Sequence, residues 1–160
     1  MIEQEKYVPD EIDLALMQSL QKDGREPFSE LAKRLGVVVS TVSKRYQKLI
    51  EEGIIKIIGR VDPNRIGYNA YACILIKING VVQVSSLAQR LSELPEVSFL
   101  AMRTGEFDLE LNVMCRDNNH LLRLMEGIHQ LEGVQKTETH MYLKVYKWGQ
   151  PAIDLLSKNQ

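Results

Sequence analysis

The period at which apolar residues recur changes once along this chain, and that change constrains the fold more than any other feature. Residues 10 to 56 read at helical period, whereas residues 68 to 147 mix alternating strand-like runs with two amphipathic helices. The stretch "VDPNRIGYN" lies at the change, punctuated by Pro63 and Gly67. Two domains follow: residues 1–62, with a linker strand at about 56–67, and residues 68–150, leaving residues 151–160 as a C-terminal tail.

The first half reads as three helices. Asp10, after Pro9, is placed to accept a backbone N–H bond at the start of the first, and Asp13 puts a negative charge in its first turn, where the helix dipole favours one. Ile12, Ala15, Leu16 and Leu20 form its apolar stripe, and "KDGRE" ends it at Gly24. A short second helix from near Ser29 turns Leu31, Ala32 and Leu35 inward and stops at Gly36. The third opens at Ser40, faces the core with Val42, Tyr46 and Leu49, and ends at Gly53. Helix, short turn, helix is the helix-turn-helix arrangement. The apolar and basic run "IIKIIGRVD" is expected to add a flanking strand, giving a winged form with Lys56 and Arg60 close to phosphates.

The outward face of the third helix carries Ser40, Thr41, Ser43, Lys44, Arg45, Gln47 and Lys48. It offers hydroxyls, an amide and cations along one helix sized for the major groove of double-stranded DNA. Between Ser29 and Arg60 stand seven basic residues (Lys33, Arg34, Lys44, Arg45, Lys48, Lys56, Arg60) against three acids (Glu30, Glu51, Glu52), in a chain of formal net charge −1. A charged helix face on its own is more often merely solvated. Here it coincides with the second helix of a tight pair, which favours DNA binding.

The second half runs strand, helix, strand, strand, helix, strand. "AYACILIKIN" suits a strand buried on both faces. Val84, Leu87, Ala88, Leu91 and Leu94 stripe the first helix; "VSFLAMRT" and "FDLELNVMC" are strands joined across Gly105 and Glu106; Leu121, Leu124, Met125, Ile128 and Leu131 stripe the second helix; and "TETHMYLKVYKW" alternates as the last strand. The order βαββαβ is the ferredoxin-like plan, with both helices on one face of an antiparallel sheet, so the whole is an α+β chain. Tyr71, Cys73, Leu75, Met114, Tyr142 and Tyr146 are assigned to the opposite face. So much apolar surface asks for a cover, either a second copy in a homodimer or the first half and tail of the same chain.

Several classes are set aside by composition. No apolar run approaches the roughly 20 residues that span a bilayer, and "MIEQEKYVPD" lacks a signal-peptide layout, so no membrane partner and a cytoplasmic location are expected. Cys73 and Cys115 sit in apolar runs as buried reduced thiols, without the ligand spacing of a metal site, and no cofactor is expected. His120, His129 and His140 form no close constellation with a nucleophile or phosphate loop, so no catalytic residue is assigned.

The runs "IDLALMQSLQKDGREPFSELAKRLG", "VSKRYQKLIEEGIIK", "DPNRIG" and "TGEFDLELNV", in that order and spacing, resemble the Lrp/AsnC (feast/famine, leucine-responsive) transcription regulators over nearly the whole chain. The resemblance implies a winged helix-turn-helix domain followed by a ferredoxin-like, ACT-like regulatory domain. It also implies dimers assembling into octamers or other even-numbered oligomers, and DNA binding or assembly modulated by a small molecule, most often an amino acid. One departure stands out: where many members open the recognition helix with serine and proline, this chain has Val38 and Val39, leaving Ser40 and Thr41 to cap it. The resemblance further implies that the turn holding Gly105, Glu106, Phe107 and Asp108 helps form the effector pocket, with Thr104, Arg103 and Met102 in second rank for its wall. Loop amides there suit a carboxylate and the acids suit an ammonium. The plainer reading is a hairpin turn with solvated acids. Two other functions compete: an oligomeric ligand-binding protein without DNA affinity, and an enzyme like the haem-pathway decarboxylases that share this architecture.

Overall fold

The computed structural model describes residues 7–80 and 82–149. The chain divides into two compact units, one running to Arg60 and taking in Trp148, the other spanning Val61–Lys147. The expected tail at 151–160 lies outside the described residues. No helix among these residues is long and apolar enough to cross a membrane.

In the first unit, α1 (Glu11–Lys22), α2 (Phe28–Leu35) and α3 (Val39–Glu51) pack on one core. Asp10 caps α1: it accepts the Asp13 N–H at 2.9 Å, while Asp13 accepts the Asp10 N–H at 3.2 Å. Leu16, Met17, Leu20, Leu31, Ala32, Val42 and Leu49 form the buried cluster. Ile12 and Ala15 are only half-buried, and the inward row of α1 runs instead through Asp13, Leu16, Met17 and Leu20. Gly36, at φ +66°, closes α2 in the left-handed conformation and sends its N–H back to Ala32 and Lys33. The third helix starts one residue earlier than expected. Val38 occupies its N-cap position and no side chain caps it, so Ser40 lies inside the helix.

The run from Ile54 to Asp62 forms no strand. The Ile54 and Ile55 amides both return to the Leu49 carbonyl, at 2.8 and 3.1 Å, and close the end of α3. A strand needs a neighbour to complete its ladder, and this unit has no other strand among the described residues. The expected linker strand is further broken by a 3₁₀ turn over Pro63–Ile66, where Asp62 accepts the Asn64 N–H.

The second unit holds β1 (Ala70–Ile78), α4 (Val84–Ser92), β2 (Val97–Met102), β3 (Leu109–Cys115), α5 (Asn118–His129) and β4 (Val134–Met141). The sheet is antiparallel, in the order β2-β3-β1-β4. Ile74 opposite Leu111 and Ile76 opposite Leu109 fix the register. Their face, with Ala72, Ile78, Val113 and Cys115, packs on Leu87 and Leu91 of α4 and Leu121 and Ile128 of α5. Both cysteines are buried and unpaired, and burial pushes the Cys115 thiol up to about 11.

The other face is more polar than expected. Tyr71, Cys73 and Leu75 pair with Met114, Asn112 and Glu110 on one side, and Cys73 and Leu75 with His140 and Glu138 on the other. The last strand ends at Met141 rather than continuing to Trp148, because β1 begins at Ala70 and its ladder does not extend to Leu143 and beyond. Tyr142 closes the edge, donating its N–H to the Tyr71 carbonyl and its hydroxyl to Asn112. Tyr146 is exposed beyond it.

Candidate nucleic-acid interface and effector loop

The α3 face forms around Val42 and Leu49, whose complete burial fixes the rotation of the helix. Ser40, Ser43, Lys44, Gln47 and Lys48 are thereby exposed, with Thr41 half-buried beside them. Lys44 has no ion-pair partner among the described residues. Gln47 donates to Glu51 at 2.9 Å. Lys48 lies 3.8 Å from Glu52 and 5.3 Å from the centre of the Tyr7 ring. These are exposed, weak tethers.

Arg45 does not share this freedom. Its guanidinium turns back to α1, 2.8 Å from Asp10 Oδ2 and 3.4 Å from Asp13 Oδ2. The cause is the burial of Asp13, which is 1 % exposed and must be matched by donors. It also accepts the Tyr7 hydroxyl at 2.7 Å. Burial, and then the bond to this carboxylate, push the Tyr7 phenol up to about 12. The Asp13 N–H and then Arg45 hold the Asp10 carboxyl below its ordinary value. Arg34 is likewise engaged, pairing with Glu26 at 2.6 Å and bonding Ser19. Of the seven basic residues counted along this stretch, then, two tie helices together. Asp13 was read from sequence only as a first-turn acid, and its burial and its bond to Tyr7 were missed; the available signal was an acid at the i−3 position of Leu16 on the buried row of α1.

The strands β2 and β3 do not meet across two residues as expected; a loop of residues 103–108 joins them. Gly105 has φ +109°, a conformation a side chain resists. Asp108 anchors the loop. Its Oδ2 accepts the Ile78 N–H at 2.8 Å, its Oδ1 lies 3.2 Å from Lys77 Nζ, and its own N–H donates to the Ile76 carbonyl at 2.9 Å. The Ile78 amide, with Lys77, holds its carboxyl below the ordinary value. Glu106 pairs with Lys136 at 2.8 Å, which lowers the glutamate and raises the lysine. Lys136 also covers the ring of Phe107, 5.0 Å from its centre, and Phe107 is buried.

Thr104, Gly105 and Glu106 are therefore presented to solvent, while Phe107 and Asp108 serve as the loop's anchorage. Arg103 reaches Glu110 at 3.7 Å. Met102 lines an open groove of about 470 Å³ between α4 and β2, with Ser85, Ala88, Gln89, Ser92 and Leu100. Lys77 and Lys136 were not foreseen, because their partners lie about thirty residues away and only the sheet register brings them together.

Comparison with known proteins is consistent along the chain. Residues 9–56 match the family model described as winged helix-turn-helix DNA-binding, and residues 71–151 match the Lrp/AsnC ligand binding domain. An uncharacterised HTH-type transcriptional regulator of Pyrococcus abyssi is 38 % identical over 142 residues, covering 88 % of this chain and 89 % of its own. The HTH-type transcriptional regulator FL11 of Pyrococcus furiosus is 34 % identical over 139 residues, covering 86 % and 91 %. Among solved structures, E. coli AsnC superposes with TM-score 0.84 at 28 % identity, over 91 % of this chain and 99 % of that one. The leucine response regulatory protein LrpA of Mycobacterium tuberculosis gives 0.81 at 27 %, over 90 % and 99 %. A winged helix-turn-helix DNA-binding unit followed by a four-stranded ligand-binding unit, matched in both halves and in order, shows that the chain belongs to the Lrp/AsnC family of ligand-modulated transcription regulators.

Proposed function

We propose that this regulator reads DNA with the exposed face of α3 and that a free amino acid, bound at the loop of residues 103–108, modulates that reading. The exposed row Ser40, Ser43, Lys44, Gln47 and Lys48 carries the first half of the proposal, since it sets hydroxyl, amide and cation on one side of a helix whose other side is buried. Thr41 borders the row, and Arg45 serves it as a tether that sets the helix angle. The second half rests on Thr104, Gly105 and Glu106 being presented on a loop held in place by Asp108 and Phe107. The Glu106 and Lys136 pair is exposed, so an effector's ammonium and carboxylate exchange with it at little cost. The domains act as residues 1–62 and 68–150. Two copies meet over the sheet face bearing Tyr71, Cys73 and Leu75, and such dimers associate into an octamer or other even-numbered assembly in the cytoplasm. The chain acts by binding, not catalysis.

The test is fluorescence anisotropy with duplex DNA from upstream of the protein's own coding region and a scrambled control, at two salt concentrations, with single amino acids added. Preferential binding that one amino acid shifts is the expected result. Equal affinity for both duplexes at both salt concentrations sinks the DNA half. Preferential binding indifferent to every amino acid sinks the effector half.

A further inference from the structure

We propose that Val38 and Val39 are a specificity element of the DNA reader, an apolar pair that selects thymine by its 5-methyl group beneath the N-terminus of α3. This rests on α3 entering the major groove. Val38 holds the N-cap position and Val39 is the first residue of the helix, the part of a recognition helix that reaches base edges. Both side chains stand in solvent, Val38 at 66 % and Val39 at 48 % exposure, whereas Val37 packs on the core and Val42 is wholly buried.

Two independent costs coincide at this point. The N-cap position lacks the side-chain acceptor that serine, threonine, aspartate or asparagine would supply, and no side chain caps the helix. The same residues also expose branched apolar carbon to water.

The major groove offers one apolar feature, the thymine methyl; every other edge there presents a donor or acceptor that valine leaves desolvated and unpaired. Val39, inside the helix, has a single strongly preferred rotamer, so little side-chain freedom is lost on its contact. Next along the helix, Ser40, Ser43 and Lys44 are exposed and polar, which places the apolar contact beside the hydrogen-bonding and phosphate contacts. Valine contacts of this kind favour one or two thymines, or 5-methylcytosine, at the matching position of each half-site.

The experiment begins with selection of duplexes from a random library by the full-length protein. The enriched duplex is then remade with uracil for thymine, one position at a time, which removes the methyl and keeps the pairing. Dissociation constants are measured for the wild type, Val38→Ala/Val39→Ala, the isosteric Val39→Thr, and Lys44→Ala. The wild type is expected to lose roughly fourfold for each contacted methyl, and to regain it when 5-methylcytosine replaces cytosine there. The double alanine variant, with its helicity intact, is expected to bind thymine and uracil duplexes alike, and Val39→Thr to discriminate less than wild type.

Absence of a uracil effect at every position, or an effect that persists unchanged in the double variant, overturns the proposal. If that happens while Lys44→Ala weakens binding, the valine assignment alone fails. If Lys44→Ala changes neither affinity nor salt dependence, or no sequence is enriched, α3 is not the reader and the valine assignment falls with it.

Discussion

Replacing Asp13 with asparagine removes one negative charge from the most enclosed polar site of the DNA-binding unit and changes almost nothing else in volume. The carboxylate is 1 % exposed and serves three donors: the Tyr7 hydroxyl at 2.7 Å, the Asp10 N–H at 3.2 Å and Arg45 at 3.4 Å. Hydrogen bonds to a charged group contribute about 1.5–3 kcal/mol each. The Tyr7 bond is short and the Arg45 contact long, so one full bond and a fraction of another are at stake. An asparagine amide would moreover turn an N–H toward the guanidinium. The expected loss is about 2–3 kcal/mol. Arg45→Gln should cost less, about 1 kcal/mol, because its side chain is 35 % exposed and water replaces part of the contact. The two changes share one interaction, so the double variant should be less destabilised than their sum by about 1 kcal/mol. Urea unfolding of the four proteins followed by circular dichroism, with hydrogen exchange at α1 and α3 amides to assign the loss to this unit, measures all three quantities. Effects that add within about 0.4 kcal/mol, or an Asp13→Asn cost below about 0.5 kcal/mol, would refute the view that this carboxylate ties α3 to α1.

Four further outcomes are expected. Lys44→Ala should lower the slope of log affinity against log salt by about 0.9 for one lost phosphate contact, while Arg45→Gln weakens binding without changing the slope, because it acts through helix position. Tyr7 should ionise near 12 against an ordinary 10.0; its raised value means stability complete below the unfolded pKa and lost as pH rises through the folded one, seen as a missing late step in the tyrosinate absorbance of Tyr7→Phe. Asp108, held below the ordinary 3.8, contributes stability that is full above that value and lost as pH falls through the depressed one; protection of the Ile78 amide should fall in the same acid range, and in Asp108→Asn it should already be reduced at neutral pH. Gly105→Ala should cost about 1 kcal/mol or more for its φ of +109°, measured as a lower urea midpoint of the ligand-binding unit.

Periodicity made the element order legible because each element buries one face. Leu31, Val42 and Leu49, or Ile74 and Ile76, recur at the spacing their structure requires and are all buried. The same logic misled where an apolar run lacked a partner. "IIKIIG" has strand composition, yet strand pairing is a property of two segments, and among the described residues its own unit supplies no second one. The exposed face of α3 was visible for the same reason its core was, except at Arg45. A sequence shows that an arginine is available but not that a buried Asp13 thirty-two residues away will claim it. The loop of residues 103–108 was marked by its glycine and acids, and its proposed effector role came from the family resemblance, while Lys77 and Lys136 depend on cross-strand register and were beyond the reach of local pattern.

The anchorage of residues 103–108 divides the loop into positions under different constraints. Asp108 and Phe107 are bound to backbone, lysine and core, so almost any change there moves the whole segment. Thr104 and Glu106 are exposed, Glu106 engaged only through its exposed pair with Lys136. Substitutions at these two sites therefore alter what the loop displays at a small cost to folding, of the order of an exposed ion pair at Glu106. Under the effector role proposed for this loop, a lineage carrying this chain would change the chemistry it senses in single steps at Thr104 or Glu106, each intermediate keeping the buried anchorage of Phe107 and the backbone bonds of Asp108.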